Sequence, residues 1–211
     1  MTQLEKITEM LQMQDEFNIS VLGDNWKNLD TPWYRAVWLE CAEMLEQTDW
    51  KWWKHKDENI NHTILELVDI WHFGMSDMLV NFKEIDTTAT IINNIFNCTD
   101  NIKRDIPSTI EDLVESTINN KNFNLTFFID LCNALDISID KLYTLYIGKN
   151  ILNQFRQDRG YAKGHYIKVW NGREDNDYLI EFTNSLDLSI RINRNKLRYE
   201  FNKIYDEIIG G

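Results

Sequence analysis

Proline and glycine are scarce, with two and eight in 211 residues. Chains built of strands and tight turns need more of both, so the shortage points to long, uninterrupted helices. Cysteine is scarce too. Cys41, Cys98 and Cys132 are odd in number and scattered, and no CxxC occurs. That argues against a disulfide framework or a thiolate zinc site and favours reduced, buried thiols. Positive charge is in short supply: 22 Lys and Arg face 34 Asp and Glu, a formal charge of −12. A nucleic-acid binder would carry a basic stripe, so no direct nucleic-acid partner is expected. A nucleotide substrate is compatible with the acidity, because metal ions invert the local field. No apolar run approaches the roughly 20 residues of a membrane span. The opening MTQLEKITEM is polar and acidic, unlike a signal peptide. The expectation is a cytoplasmic protein (the host cytoplasm, if the source is viral) with no membrane partner.

Apolar residues make up 43% of the chain, enough for a real core. Helical periodicity is expected over 3–18, from Thr31-Pro32 to about 48, over 60–82, 87–99, 123–135, 175–184 and 195–208, and from Ser138 to about 157. Ser108 and Glu111 have capping-box spacing and are expected to open a helix to about 119. DRGYAKGHYIKVWNGREDN, with three glycines, reads as a loop, and only HYIKVW within it offers a strand. The fold class is all-α: a single domain over 1–211, within which 82–122 forms a smaller helical subdomain.

What is present in the helices is acid in unexpected places. Glu40 and Glu43 are three apart, and Glu66 and Asp69 are three apart among Ile64, Leu65, Leu67, Val68, Ile70 and Trp71. Residues three apart share a helix face, so two such helices side by side gather four carboxylates. Basic side chains or a hard cation must then sit between them; the alternative is two solvated acidic faces. Mg²⁺ takes oxygen ligands, and paired ions clamp the nucleophile and leaving oxygen of phosphoryl transfer. Glu46 continues the first stripe, as an outer ligand or simply exposed. His55 and His62 lack the spacing of a zinc site. His72 stands one turn past Asp69 on the same face, either as a core histidine or in touch with a ligand.

ExxE followed 26 positions later by ExxD is similar to the metal motif of the all-α nucleoside triphosphate pyrophosphohydrolases. LQMQDEFN (11–18), ECAEMLE (40–46), WKWWK (50–54), ELVDIWHF (66–73), YIGKNILNQFRQDRGY (146–161) and KVWNGREDN (168–176) resemble, within that superfamily, the dimeric dUTPases. The resemblance implies a helical bundle of that type. It also implies hydrolysis of dUTP, and of dUDP, to dUMP, releasing pyrophosphate from dUTP and keeping uracil out of DNA. Glu40, Glu43, Glu66 and Asp69 would hold two or three Mg²⁺ ions, with Glu40 or Glu43 also activating water.

Gln14 and Asn18, four apart on one face, would read the uracil edge with His72 nearby. Trp53, or failing it Trp50, would cover the base; the tryptophans of WKWWK are otherwise core or interface. Lys149, Asn153 and Arg156 form one helical stripe that would meet the phosphates. Tyr161, Lys168 and Asn176 would close over the substrate from a loop that is mobile without ligand. GYAKG departs from relatives that place lysine directly after tyrosine, which leaves the role of Lys163 open. A homodimer is implied, and seven of the eight tryptophans lie between Trp26 and Trp71, more than one subunit needs there. Two other readings remain: a related pyrophosphatase acting on dCTP or a modified nucleotide, and a non-catalytic helical regulatory protein.

Overall fold

The computed structural model describes residues 1–55, 57–99 and 103–210. Among the described residues, nine α-helices, two short 3-10 turns and one hairpin of two residues per strand make up the regular structure. The chain separates into two compact units, Met1–Tyr143 and Thr144–Gly211.

In the first unit, α1 (Gln3–Leu22) opens on a capping box between Thr2 and Glu5. It buries Ile7, Met10, Leu11, Gln14 and Asn18. Those spacings are one helical stripe, so Gln14 and Asn18 lie on the core side of α1. A short 3-10 turn, Trp26–Asn28, is held by the Trp26 indole donating to Asp15 Oδ1 at 2.9 Å. α2 (Trp33–Glu46) buries Trp33, Val37, Cys41 and Met44. It starts after Pro32, whose ψ of 68° is not helical, so Pro32 is its N-cap where Thr31-Pro32 would suggest a threonine cap followed by proline in the first turn.

α3 (Ile60–Phe82) is the centre of the unit. Asn59 caps it by accepting from the His62 backbone N–H. It packs most extensively against α2 and also meets α1, α4 and α6. Most of its residues from Thr63 to Leu79 are buried, as expected of a helix enclosed on several sides. α4 (Ile85–Cys98) lies against α1, and α5 (Ile106–Asn120) against α2 and α6 (Leu125–Ala134). α4 and α5, the helices described within 82–122, thus sit on other helices of the first unit. α5 corrects the capping-box reading. Asp105 is its N-cap, accepting from Ser108 N at 2.9 Å, with Pro107 in the first turn. Aspartate before a first-turn proline outcompetes the serine further in.

α7 (Ile139–Asp158) carries the chain into the second unit. There the expected loop is more ordered than its glycines imply. β1 (Val169–Trp170) pairs antiparallel with β2 (Arg173–Glu174) across Asn171-Gly172, at φ 49° and 81°. Asn-Gly is the preferred pair for such a two-residue turn, since both positions need positive φ. The second unit is completed by α8 (Asp175–Ser185) and α9 (Arg191–Ile209). Its core is aromatic. Trp170 is fully buried, donates to Ile167 O at 2.8 Å and packs with Phe155, Tyr178, Phe201 and Tyr205.

Back in the first unit, Gly74 lies where α3 meets Phe123. A Cβ there would stand 2.7–2.8 Å from three Phe123 ring carbons. That ring is pinned by Trp71 and Phe128, and its backbone N–H by Asp77 Oδ2 at 3.0 Å. Gly74→Ala is therefore expected to destabilise the protein by about 1–3 kcal/mol, read as a lower denaturant midpoint. An unchanged midpoint would show that Phe123 has room to move.

Candidate active site

α2 and α3 bring acidic side chains together from two directions. Carboxylate oxygens of Glu40, Glu43 and Glu66 all lie within 4.8 Å of one another, with Glu66 buried, Glu40 half-buried and Glu43 exposed. Asp69, one turn along α3 and half-buried, stands outside that trio. All the donors are hard oxygens, with no Cys or His in the group. Such a set fits Mg²⁺, Mn²⁺ or Ca²⁺ and not a structural zinc. Glu46, the continuation of the stripe, pairs with Lys51 and lines a shallow cleft with Ala42, Glu43 and Gln47. Cys41, between the two α2 acids, is buried. Desolvation, with Glu40 adding to it, pushes its thiol up to about 12, so it stays protonated.

Further along α3, past Asp69, lies a buried polar network that packing alone would not predict. The His72 Nδ1–H donates to Gln14 Oε1 at 2.7 Å. Gln14 Nε2 donates to Asn18 Oδ1 and to Ser76 Oγ, both at 3.1 Å. Asn18 Nδ2 reaches the same Ser76 oxygen at 2.9 Å. Each of these residues is at most 4% exposed, and the network brings Gln14, Asn18 and His72 into contact. Ser76 was not anticipated, though Asp69, His72 and Ser76 fall three and four apart on one face of α3.

The tryptophans divide. Trp26, Trp33 and Trp71 are core, whereas Trp50, Trp52 and Trp53 are 41%, 90% and 56% exposed. The latter three form an edge-to-face cluster at 5.3 Å spacings, so they are not core residues of this chain.

In the second unit the phosphate-binding candidates form a network around Arg156. Its Nε and one terminal nitrogen each donate at 2.8 Å to the two oxygens of Asp175. It also donates to Asn153 Oδ1 at 3.1 Å and Asn176 Oδ1 at 3.2 Å. Lys149, buried, donates to Asn176 Oδ1 at 3.1 Å. The guanidinium fork expected to grip phosphate is thus engaged by a carboxylate. Asp175 and Tyr166, whose hydroxyl donates to it at 2.7 Å, were both missed. Asp175 directly precedes Asn176 in the WNGREDN stretch, which was the available signal. Tyr161, 51% exposed, and Lys168, paired with Glu174 at 3.2 Å, lie on the outside. Lys163, whose role the sequence left open, ends the 3-10 turn Tyr161–Lys163 and is exposed.

A sequence model of the dUTPase family matches residues 6–161, most of the chain. The chain belongs to the dUTPase family, and it hydrolyses dUTP to dUMP. No match to a characterised protein was found. The matched residues include the α2 and α3 acids, Gln14, Asn18, His72 and the stripe from Lys149 to Arg156; Lys168, Asp175 and Asn176 lie beyond them. Family membership sets aside the non-catalytic reading, and the dUTP assignment sets aside a pyrophosphatase for dCTP or a modified nucleotide.

Asp175 is fully buried, which by itself raises a carboxyl pKa. Hydrogen bonds and charge from Arg156, with help from Tyr166 and Lys149, outweigh that and hold it below the ordinary aspartate value. Its stabilising contribution is complete above the unfolded value of about 3.9 and is lost as the pH falls through the lowered folded one. Asp175→Asn leaves the half-buried Arg156 without its fully buried counter-charge. The expected cost is about 3–5 kcal/mol, seen as a lower urea midpoint at neutral pH and a smaller difference from wild type in strong acid. An equal difference at both pH values would contradict a charge-based role.

Proposed function

We propose that this dUTPase is a magnesium-dependent homodimer of the cytoplasm that cleaves dUTP, and also dUDP, with the acidic trio as its catalytic centre. The observation that carries this reading is the convergence of Glu40, Glu43 and Glu66. Asp69 completes the ligand set. Bound there, two or three Mg²⁺ ions would supply the charge that neutralises phosphate oxygens. Glu40 or Glu43 orients the attacking water and accepts its proton. Gln14, Asn18 and His72 meet the base edge, where amides offer donor and acceptor together. Trp53, with Trp50 as second choice, stacks over the base; an exposed indole face suits that role.

Lys149, Asn153, Arg156, Tyr161, Lys168 and Asn176 serve the phosphates. Because Asp175 holds the Arg156 fork, Arg156 meets phosphate as a fixed positive charge. Asp175 thereby orients it. Cytoplasmic residence is supported by Cys41 and Cys132, buried unpaired thiols of the kind a reducing compartment maintains. No helix among the described residues is long and apolar enough to cross a membrane.

The dimer reading is supported by the outward side of α2. Pro32, Trp33, Ala36, Trp38, Leu39 and Phe73 line an almost wholly apolar groove, with Trp38 36% and Leu39 48% exposed. Exposed apolar patches rimmed by polar residues mark interaction surfaces.

Glu43→Gln keeps the side chain's shape and removes its charge. Turnover of dUTP is expected to fall by at least about 100-fold while the circular dichroism spectrum is unchanged. Activity above about a tenth of wild type, on the same scale of about 1.4 kcal/mol per factor of ten, would remove Glu43 from the catalytic set. Leu39→Glu should convert the dimer to a monomer in sedimentation. A dimer of undiminished affinity would place the interface elsewhere.

A further inference from the structure

Ser76 is fully buried on α3 and is the meeting point of the polar network. Its hydroxyl donates to His72 O at 2.9 Å. A hydroxyl has one proton and two lone pairs. With the proton committed to the backbone, Ser76 offers the two amides an acceptor and nothing else. Gln14 and Asn18 must each turn their NH₂ group toward it, as they do at 3.1 and 2.9 Å. The amide oxygens are fixed in consequence. Gln14 Oε1 faces His72 Nδ1 at 2.7 Å, so the proton of the neutral imidazole sits on Nδ1 and Nε2 has acceptor character.

We propose that Ser76 is the positioning residue for base selection: it sets the amide orientation of Gln14 and Asn18 and, through Gln14, the tautomer of His72. This rests on the reading that those three residues meet the base. An amide able to flip presents donor and acceptor in either order, and a histidine of undefined tautomer does the same. Uracil offers two carbonyl acceptors flanking the N3–H donor. Cytosine carries a donor at position 4 and lacks the N3 proton. A single fixed pattern of donors and acceptors is needed to tell them apart, because a site built on hydrogen bonds rejects an analogue only when its own polar groups are left unpaired. Ser76 converts three ambivalent side chains into one such pattern without touching the nucleotide.

The test compares Ser76→Ala and Ser76→Thr in the full-length protein, with dUTP and dCTP as substrates. In Ser76→Ala, kcat/KM for dUTP relative to dCTP is expected to fall by at least about tenfold. Most of the loss should lie in KM for dUTP, with kcat within about threefold of wild type. Ser76→Thr, which keeps the hydroxyl, should restore most of the ratio. A drop in kcat with an unchanged dUTP-to-dCTP ratio would reduce Ser76 to a packing residue and overturn the proposal. If Ser76→Ala does not fold, the wild-type protein decides. Imidazole ¹⁵N shifts should show His72 as the Nδ1–H tautomer, and the Nε2–H tautomer would overturn the proposal. Gln14→Ala and His72→Ala separate the two levels. If they change the ratio and Ser76→Ala does not, the Ser76 role fails and the base-reading set stands. If none of them changes it, the base-reading set itself fails.

Discussion

Like-charge repulsion inside a packed helix pair is the constraint on which the rest of the first unit depends. Two carboxylates 4.8 Å apart, the upper limit for the Glu40–Glu43–Glu66 trio, repel by roughly 3–4 kcal/mol at an effective dielectric constant of about 20. Glu43 is exposed, so solvent and salt screen part of its share. Packing between α2 and α3 works against what remains. Val37, Cys41 and Met44 of α2 and Leu65, Leu67 and Val68 of α3 are all buried. Burying an apolar side chain of this size stabilises by about 1.5–3 kcal/mol, so a few of them match one such repulsion in size. The helix pair can hold its acids ready, and a divalent ion then gains from a cluster already gathered.

Both polar assemblies in the chain follow one plan. A buried residue outside the motif fixes the side chains that belong to it. Ser76 does this for Gln14, Asn18 and His72, and Asp175 does it for Arg156. Buried polar groups left unsatisfied cost about 1–3 kcal/mol each, so every member needs a partner in the folded chain. That requirement selects one orientation for groups that are otherwise free to rotate. It also explains the density of hydrogen bonds around residues that nucleotide chemistry would only partly use.

Much of this was legible from spacing alone. The helix 60–82 was placed at its observed ends, because an apolar run bounded by Asn59 and a polar stretch leaves little choice. The three-residue spacing within each acid pair correctly aimed Glu40, Glu43 and Glu66 at one volume, since helix geometry fixes the face. Asp69 shares the spacing but stands outside the trio. Partner identity was not legible. Ser76 is an ordinary residue in sequence, and its role comes from α1 lying against α3. Asp175 stood where the expected loop and the helix expected over 175–184 overlap, and its pairing with Arg156 comes from the fold; the Asn-Gly hairpin before it, of two residues per strand, is too short to show alternation. The same brevity hid Trp170, the one tryptophan outside the cluster and an anchor of the second unit.

The claim at the centre of this account is that gathered carboxylates make nucleotide binding depend on a divalent cation. Isothermal titration of a non-hydrolysable dUTP analogue, with Mg²⁺ and then with the metal chelated, tests it most directly. Tight binding in Mg²⁺ that weakens by at least about 100-fold on chelation, a coupling of about 2.7 kcal/mol, is the predicted result. Equal affinity in both conditions would mean that the trio holds no ion that the nucleotide meets, and the assignment of Glu40, Glu43 and Glu66 as the catalytic centre would be wrong.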